Sequence, residues 1–150
     1  MARDFVQRIP DAGLAASEST LVAVAYAETS VFIVFWCYDR NPELVDRQLV
    51  RRDRHSQADA IQITIDGYHD HITGYGFNVN ASGVQRDWRI FDDTHYDNSW
   101  DGVWKSAVKI QPWGWSAEVE IPYRLLRFPN QPEQVWGINF ARKINRRNEV

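Results

Sequence analysis

One polar loop of the sequence has oxygen-bearing side chains at alternating positions. They are Asp97, Ser99 and Asp101, and Gly102 follows them. Hard cations such as Ca²⁺ bind several oxygen ligands, and the first half of an EF-hand loop has this spacing. The second half of that motif is missing, because its twelfth position is Val108. The loop is therefore a candidate calcium site, and a solvated turn is the alternative.

A basic cluster lies in the charged connection 39–58. Arg51, Arg52 and Arg54 occur there together with Asp53 and His55. Guanidinium groups form paired hydrogen bonds with anions and polar ligands, and a connection of this length is long for a plain loop. The cluster is a candidate anion-binding or polyol-binding edge, and a solvated loop is the alternative.

Tryptophan is the third candidate, because aromatic ring faces stack on the apolar faces of sugars. Trp100 lies in the polar loop and is predicted to be a surface aromatic, with a core position as the alternative. Trp104 and Trp113 stand at strand ends and are closer to the core pattern. The core is predicted to contain the four tryptophans on apolar strand faces, namely Trp36, Trp88, Trp115 and Trp136.

Two further sets of side chains are interpreted as structural. Asp59, Asp66 and Asp70 flank one strand, but glycosidase chemistry needs two carboxyl groups about 5–10 Å apart in a cleft. Turn and capping roles are favoured for them. His69 and His71 could share a face and bind a metal, but no third ligand is evident, and a surface position is favoured.

The elements that must position these residues are strands. The segment 113–122 reads WGWSAEVEIP and alternates apolar with small or charged side chains, as a half-buried strand does. The segment 104–111 has the same period, and Pro112 and Gly114 suit a type I turn between the two. The sequence therefore predicts an antiparallel hairpin with a tryptophan-rich face.

Other short segments also have the composition of strands. Thr20–Tyr26 and 31–38 are apolar on both faces and are predicted to be central strands. Ala60–Asp66 is the clearest half-buried strand, and 72–80, 84–90 and 135–144 complete the set, with one short helical turn at 123–126. About eight strands predict an all-β, antiparallel β-sandwich, immunoglobulin-like or jelly-roll-like, as a single domain over residues 1–150. A barrel is the alternative.

The composition excludes several classes. A net charge of -3 provides no basic stripe, so no nucleic-acid partner is expected. No stretch approaches the roughly 18 apolar residues of a membrane span. The single cysteine, Cys37, lies in an apolar run and is predicted to be a buried small hydrophobe. The last residues lack a turn or cap, so we expect a module from a longer chain.

Five segments in order resemble the family nine carbohydrate-binding modules. The similarity covers nearly the whole chain. It is closest to the version at the N-terminus of large bacterial proteins that have an uncharacterised, outer-membrane-associated C-terminal part. The segments are 58–66 (ADAIQITID), 76–87 (GFNVNASGVQRD), 99–110 (SWDGVWKSAVKI), 114–128 (GWSAEVEIPYRLLRF) and 136–146 (WGINFARKINR).

The resemblance implies a β-sandwich that binds carbohydrate without catalysis, with bound calcium in some members. It implies a periplasmic, outer-membrane-associated or secreted setting and a parent protein linked to polysaccharide catabolism. In sugar-binding members, two tryptophans clamp a terminal sugar. One of them falls where this chain has Arg54-His55-Ser56, and the other falls after residue 150.

The prediction is a non-catalytic module that holds a glycan in the loops at 52–56 and 97–104, with calcium as a candidate cofactor. Six residues are predicted to contact the glycan: Arg52, Arg54, His55, Gln62, Trp100 and Trp104. The absent clamp favours a second interpretation, a structural or docking domain that packs on the remainder of its parent chain. A glycosidase dependent on Asp66 has the least support.

Overall fold

The computed structural model describes all 150 residues, and its regular structure is almost entirely β. Three short 3₁₀ turns accompany the strands, at Pro42–Leu44, Tyr123–Leu125 and Asn145–Arg147. None of these turns is long and apolar enough to cross a membrane. The nine strands are β1 (Thr20–Tyr26), β2 (Ser30–Tyr38), β3 (Ala60–Asp66), β4 (Gly74–Asn80), β5 (Gln85–Phe91), β6 (His95–Asp97), β7 (Lys105–Gln111), β8 (Gly114–Pro122) and β9 (Gly137–Lys143).

The strands form two antiparallel sheets that enclose one core. The four-stranded sheet has the order β1-β2-β8-β7, and the five-stranded sheet has the order β6-β5-β4-β3-β9. The predicted β-sandwich is therefore confirmed. The prediction missed β6, which ends at Asp97 of the predicted polar loop, because a strand of three residues is too short to show a period of its own.

The core lies between the sheets and is built from alternate residues of the central strands. Trp115, Phe35 and Phe77 are its largest fully buried side chains, and the thiol of Cys37 is buried among them as predicted. Burying one such aliphatic or aromatic side chain contributes about 1.5–3 kcal/mol. Smaller members from both sheets fill the space between the rings: Val22, Ile33, Ile61, Ile63, Ile65, Val79, Val119 and Ile121.

The hairpin predicted from alternation is present as β7 and β8. Gln111 pairs with Gly114, so Pro112 and Trp113 form the turn. Gly114 has a φ of 138°, and a Cβ there would overlap the carbonyl oxygen of Cys37. Only glycine fits this position, because both the backbone conformation and the close approach exclude a side chain.

The prediction that β1 and β2 are central strands is only half right. β2 lies inside the four-stranded sheet, but β1 is its edge strand. Trp36 pairs across strands with Ser116 of β8 and lies on the outer face, as do Phe32 and Tyr38, which are 37% and 36% exposed. The pattern predicted strands correctly but could not show that one apolar face is uncovered, because both faces looked alike.

An ion cluster closes one end of the sandwich, beyond the end of β2. Arg146 donates two hydrogen bonds of 2.8 Å to the carboxylate of Asp39. Arg142 donates to the backbone oxygen of Tyr38 at 2.8 Å and approaches Asp39 at 3.7 Å. Glu18 accepts from Arg40 and Arg147. Side chains from the N-terminal segment, from the residues after β2, from β9 and from the C-terminal segment thus meet around two buried carboxylates, those of Glu18 and Asp39.

Candidate functional site

The outer face of the five-stranded sheet carries a row of polar side chains. Cross-strand pairing aligns Gln62 of β3 with Asn78 of β4 and with Ala141 of β9. Asn78 is in turn aligned with Arg86 of β5. These residues share the outer face because Ile61 and Ile63, the neighbours of Gln62, are fully buried in the core.

This row crosses a groove with a cavity volume of about 210 Å³. The strand order places Arg86 on one side of the groove and Lys143 of β9 on the other. The floor between them is low, because small side chains such as Ala60 and Ala141 alternate with the polar ones. We call this site the sheet groove, and its lining also includes Arg8, Arg54, His55, Ser56, Ala58, Gln62, Asn78, Val84 and Val150.

A second cavity of about 430 Å³ adjoins the sheet groove. It lies between the N-terminal segment 2–8 and β9, and it shares Arg8, Gln62, Ala141 and Val150 with the groove. Small-molecule sites in proteins typically have volumes of about 300–1,000 Å³. The two cavities together have the size of such a site, and Gln62 stands where they meet.

Arg86 is the most connected side chain of the groove. One Nη atom lies 3.1 Å from Nε2 of His55, and the other donates to the side chain of Asn98 at 2.9 Å. Its guanidinium lies 5.2 Å from the ring centroid of Trp88, a cation–π arrangement. Arg86 therefore links β5 to the loop of His55 and covers the indole of Trp88.

Trp88 is buried as predicted, but outside the sandwich core. It pairs with Gly76 on the outer face, and a Cβ on Gly76 would overlap the indole ring. Trp88 is only 6% exposed, and its Nε1 has no hydrogen-bond partner. Trp88 therefore supports the groove wall beneath Arg86 and offers a ligand little open ring face.

Several groups in the sheet groove have free hydrogen-bonding capacity. The side chains of Asn78, Arg54 and Lys143 form no hydrogen bond within the protein, and Gln62 forms only a long one of 3.5 Å to the hydroxyl of Thr64. An amide offers both donors and acceptors, and a guanidinium offers five donors. The groove can therefore bind a ligand rich in hydroxyl or acidic oxygens.

Three of the six predicted ligand residues meet in this groove: Arg54, His55 and Gln62. Their neighbours Asn78, Arg86 and Lys143 were not predicted, although each occupies an outward position of a predicted strand. Strand alternation could have shown that they face outward. Alternation does not show that these residues lie in one row, because the row forms only when strands from distant segments pair.

Arg52 serves the structure at another place. It donates to the carboxylate of Asp87 at 2.5 Å and to the backbone oxygen of Gly102 at 2.8 Å. Asp87 is fully buried and also accepts from the indole of Trp104 at 2.7 Å. Burial raises the pKa of Asp87, although the hydrogen bond from Trp104 and the charge of Arg52 oppose that rise. Arg52 thus compensates an internal charge.

The two loop tryptophans lie deeper than a sugar platform requires. Trp104 is 5% exposed, so we reassign it to the core. Trp100 is half-buried, and its ring centroid lies 5.1 Å from that of Tyr75 and 5.9 Å from that of Phe77. Both rings therefore fasten the loop 97–104 to β4.

The candidate calcium ligands are occupied by other partners. Asp97 accepts from the hydroxyl and the backbone of Ser99 and from Arg89 at 3.1 Å. These hydrogen bonds, led by that of the Ser99 hydroxyl, lower the pKa of Asp97. Asp101 lies 3.0 Å from Arg52. No group of three or more His, Cys, Asp or Glu side chains in the chain is arranged to hold a metal.

The turn after β3 has the structural role predicted for it. Asp70 accepts from the backbone of Ile72 and Thr73 at 2.8 Å, and Asp66 accepts from the backbone of His71. The rings of His69 and His71 lie 5.0 Å apart in an edge arrangement. The capping interpretation is confirmed for Asp66 and Asp70, whereas Asp59 is buried and accepts from the backbone of the distant Asn145.

The role of Arg52 is testable by stability. We expect Arg52→Ala to destabilise the fold by about 2–3 kcal/mol, because it leaves Asp87 buried without its cation. The loss falls below the range of about 3–5 kcal/mol for fully buried pairs, since the Arg52 side chain is 36% exposed. Chemical denaturation would measure it. Arg51→Ala, at an exposed neighbour, should change stability by less than about 0.5 kcal/mol, and an equal loss there would contradict the assignment.

Comparison with known proteins gives one informative similarity. No protein-family model and no curated protein matches the sequence. One similar solved structure, from Bacteroides uniformis, is described as a "putative carbohydrate-binding protein". It has a TM-score of 0.71 and 9% identity, and the match covers 88% of this chain and 66% of that one. At this identity the similarity establishes a shared fold: the chain is an antiparallel β-sandwich of a kind also found in that protein.

Proposed function

We propose that the chain is a non-catalytic carbohydrate-binding module and that its glycan lies in the sheet groove. One observation carries the proposal. Side chains with free hydrogen-bonding groups from β3, β4 and β9, together with Arg54, converge on one concave surface. A structural face has no need of such convergence, because each exposed polar group could be solvated separately.

The groove suits the chemistry of a sugar. Each hydroxyl of a sugar both donates and accepts a hydrogen bond, and the amides of Gln62 and Asn78 can do the same. Adjacent hydroxyls also match the paired donors of a guanidinium such as Arg54. Strand positions hold these groups more rigidly than the loops would, which lowers the entropy lost on binding.

One comparison supports a carbohydrate ligand, because the similar structure from Bacteroides uniformis is described as a "putative carbohydrate-binding protein". No family model matches the sequence, so the resemblance to family nine modules adds only an expectation. Membership of family nine stays a prediction, as do the extracytoplasmic setting and the single-domain organisation. The absence of catalysis is also part of the proposal. Hydrolysis needs two carboxyl groups at the scissile bond, and no Asp or Glu side chain lines the sheet groove.

The proposed site differs from the predicted one. The sequence placed the glycan in end loops with Trp100 and Trp104, whereas the proposal moves it to the face of the five-stranded sheet. Arg54, His55 and Gln62 remain contacts, and Arg52 supports the fold. Calcium at Asp97, Ser99 and Asp101 stays a prediction. A rise in melting temperature with calcium that disappears in Asp97→Asn would support it, because a ligand of the folded state raises stability.

A glycan array followed by calorimetry tests the proposal. We expect Asn78→Ala to weaken binding of the best saccharide about tenfold, the effect of roughly one lost hydrogen bond to a charged or buried partner. Asn130→Ala, at an exposed loop position, is the matched control and should bind normally. Trp100→Ala should lower stability more than affinity. If no saccharide binds, with or without calcium, the proposal fails.

A docking domain is the second candidate function. The outer face of the four-stranded sheet supports it, because Phe32 and Tyr38 lie exposed there beside Trp36. Uncovered apolar side chains grouped on one surface mark many protein interfaces. The glycan array separates the two candidates, since a docking domain would bind no saccharide and a binding module would.

A further inference from the structure

We infer that the ligand of the sheet groove is an acidic oligosaccharide, one that carries carboxylate or sulfate groups. This inference rests on the proposed function and adds the chemical class of the sugar. It starts from the charges of the groove. Four cationic side chains line it, Arg8, Arg54, Arg86 and Lys143, and no aspartate or glutamate side chain does.

The charge of the groove is opposite to that of the whole chain. The protein has a net charge of -3, with 17 basic and 20 acidic residues. Elsewhere many cations are neutralised by carboxylates: Arg40, Arg52, Arg89, Lys105, Arg142, Arg146 and Arg147 all form ion pairs with a residue distant in sequence. None of the four groove cations has a carboxylate side chain within ion-pair distance. Their convergence gives the sheet groove itself an unbalanced positive charge, which attracts an anion. The adjoining cavity is mixed in charge, because Asp4, Glu18 and Glu149 line it beside Arg3, Arg8 and Arg142, so the acidic groups of the ligand are expected in the sheet groove.

The geometry of the groove also favours recognition of a sugar through its charge over stacking of the sugar on an aromatic ring. Neutral sugars are usually held by an open aromatic ring, but the indole of Trp88 is covered by the guanidinium of Arg86. Arg86 in turn is held by His55 and Asn98, so it is fixed in the wall. Arg86 and Lys143 stand on opposite sides of β3 and β4, so acidic groups on successive sugars can each meet a cation.

Tetragalacturonate and its fully methyl-esterified form are the decisive probes, because they share one carbon skeleton and differ in charge. A chondroitin sulfate tetrasaccharide supplies sulfate as well as carboxylate. We expect at least one of the two acidic tetrasaccharides to bind tenfold or more tightly than the ester. Affinity should fall as the salt concentration rises from 50 to 500 mM, because salt screens exposed charges over about 10 Å at 0.1 M.

Charge variants locate the effect. Arg54→Gln and Lys143→Gln should each weaken binding of the acidic tetrasaccharide about tenfold, and binding of the ester by about threefold at most, because the ester loses only hydrogen bonds to its hydroxyls. Arg124→Gln and Lys109→Gln remove matched charges outside the groove and should bind like the parent. These four positions are on the surface, and a melting curve of each variant verifies folding.

The outcomes separate this inference from the proposed function. Equal binding of the ester and the acid overturns the acidic ligand and keeps the carbohydrate function. Failure of all saccharides, neutral and acidic, overturns both. Equal binding of a single-stranded oligonucleotide of the same charge, or equal weakening by Arg124→Gln, shows general anion attraction and overturns the inference. Tighter binding of the acid that depends on Arg54 and Lys143 supports it.

Discussion

Replacing Asp39 by asparagine should destabilise the protein by about 3–5 kcal/mol, the usual cost of removing one partner from a buried ion pair. Asp39 is fully buried at its side chain and accepts two hydrogen bonds of 2.8 Å from Arg146. Asparagine preserves the shape of the side chain but turns an NH₂ group towards a guanidinium. Arg142, 4% exposed at its side chain, loses its nearest counter-charge in the same change.

The pH dependence of stability should show that Asp39 stabilises the fold in its ionised form. Burial opposes ionisation of Asp39, but hydrogen bonds from Arg146 and from the backbone of Asn41 outweigh it, so the pKa of Asp39 is lowered from 3.8. A carboxylate with a lowered pKa stabilises the fold above its unfolded pKa and loses that contribution as the pH falls through the folded value. The parent protein should therefore lose stability below about pH 4 more steeply than Asp39→Asn.

Asp59 has the opposite effect on the pH dependence of stability, so its contribution must be measured separately from that of Asp39. Burial raises its pKa, and Oδ2 of Asp59 has no hydrogen-bond partner. Its charge therefore costs stability as the pH rises through the region above 3.8. Comparing Asp39→Asn with Asp59→Asn across pH 2.5–7 separates the contributions, because only the first should flatten the acid limb.

Denaturant titration at pH 7 would measure the loss in Asp39→Asn, and thermal melting should show a fall of roughly 10 °C. Asp4→Asn is the matched control, since Asp4 pairs with Arg3 at 3.6 Å on the open surface. Exposed pairs contribute about 0–1 kcal/mol. The double variant Asp39→Asn/Arg146→Gln should lose less than Asp39→Asn alone, because it leaves one cation fewer unpaired. Equal losses for Asp39→Asn and Asp4→Asn would contradict the assigned role.

The sequence could predict the local elements, because each depends on neighbouring residues. The alternation of Ala60–Asp66 and of the segment 113–122 identified β3, β8 and the face of each that is buried. It could not identify Asp39 as the centre of an ion cluster. Its cationic partners, Arg142 and Arg146, lie up to 107 residues away along the chain, and only the folded sandwich brings them together.

β5 shows why a periodic pattern can indicate the wrong face. Trp88 and Ile90 alternate with Asp87 and Arg89, so the tryptophan face was predicted to be the core. In the structure Asp87 lies on the inner face, aligned with Phe77, and Trp88 lies on the outer face over Gly76. The reversal is possible because Arg52 and Trp104 satisfy the buried carboxylate of Asp87. Both partners come from other segments, so alternation alone could not reveal it.

The sheet groove was partly predictable for the same reason. The resemblance to family nine modules predicted Arg54 and His55 as ligand contacts, and strand alternation predicted that Gln62 faces outward. Asn78 and Lys143 could not be assigned to the groove from the sequence, because their neighbours depend on the strand register. The register aligns Asn78 with Gln62 and places Lys143 beside Ala60. The sequence does not show which polar residues on a solvent-exposed face become neighbours, because strand pairing decides this.

Gly76→Ala should be the most informative change at the groove, because it tests this reversed face directly. A Cβ at Gly76 would overlap Cε2, Nε1 and Cζ2 of the Trp88 indole, so the ring must leave its position. Overpacking of this kind costs about 1–3 kcal/mol. Displacing the indole also removes the surface on which Arg86 rests, so affinity for the best saccharide should fall about tenfold or more.

Gly137→Ala is the matched control on the same outer face. Its nearest neighbour would be Cβ of Asp66 at 3.3 Å, a contact that a small shift relieves. Gly→Ala at a compatible position is neutral to slightly stabilising, by up to about 1 kcal/mol. Calorimetry and denaturation of the two variants, side by side, separate a general effect of alanine in the sheet from the specific collision with Trp88.

A double-mutant cycle decides whether Trp88 is the cause. In a Trp88→Ala background the collision no longer exists, so adding Gly76→Ala should cost almost nothing beyond Trp88→Ala alone. If Gly76→Ala is equally costly in both backgrounds, the strain arises in the backbone of β4, and Trp88 has no part in it. If Gly76→Ala costs no further stability once Trp88 is alanine, and if both variants bind the saccharide weakly, then the indole of Trp88 supports the binding surface through Arg86. Strand alternation had assigned that ring to the core.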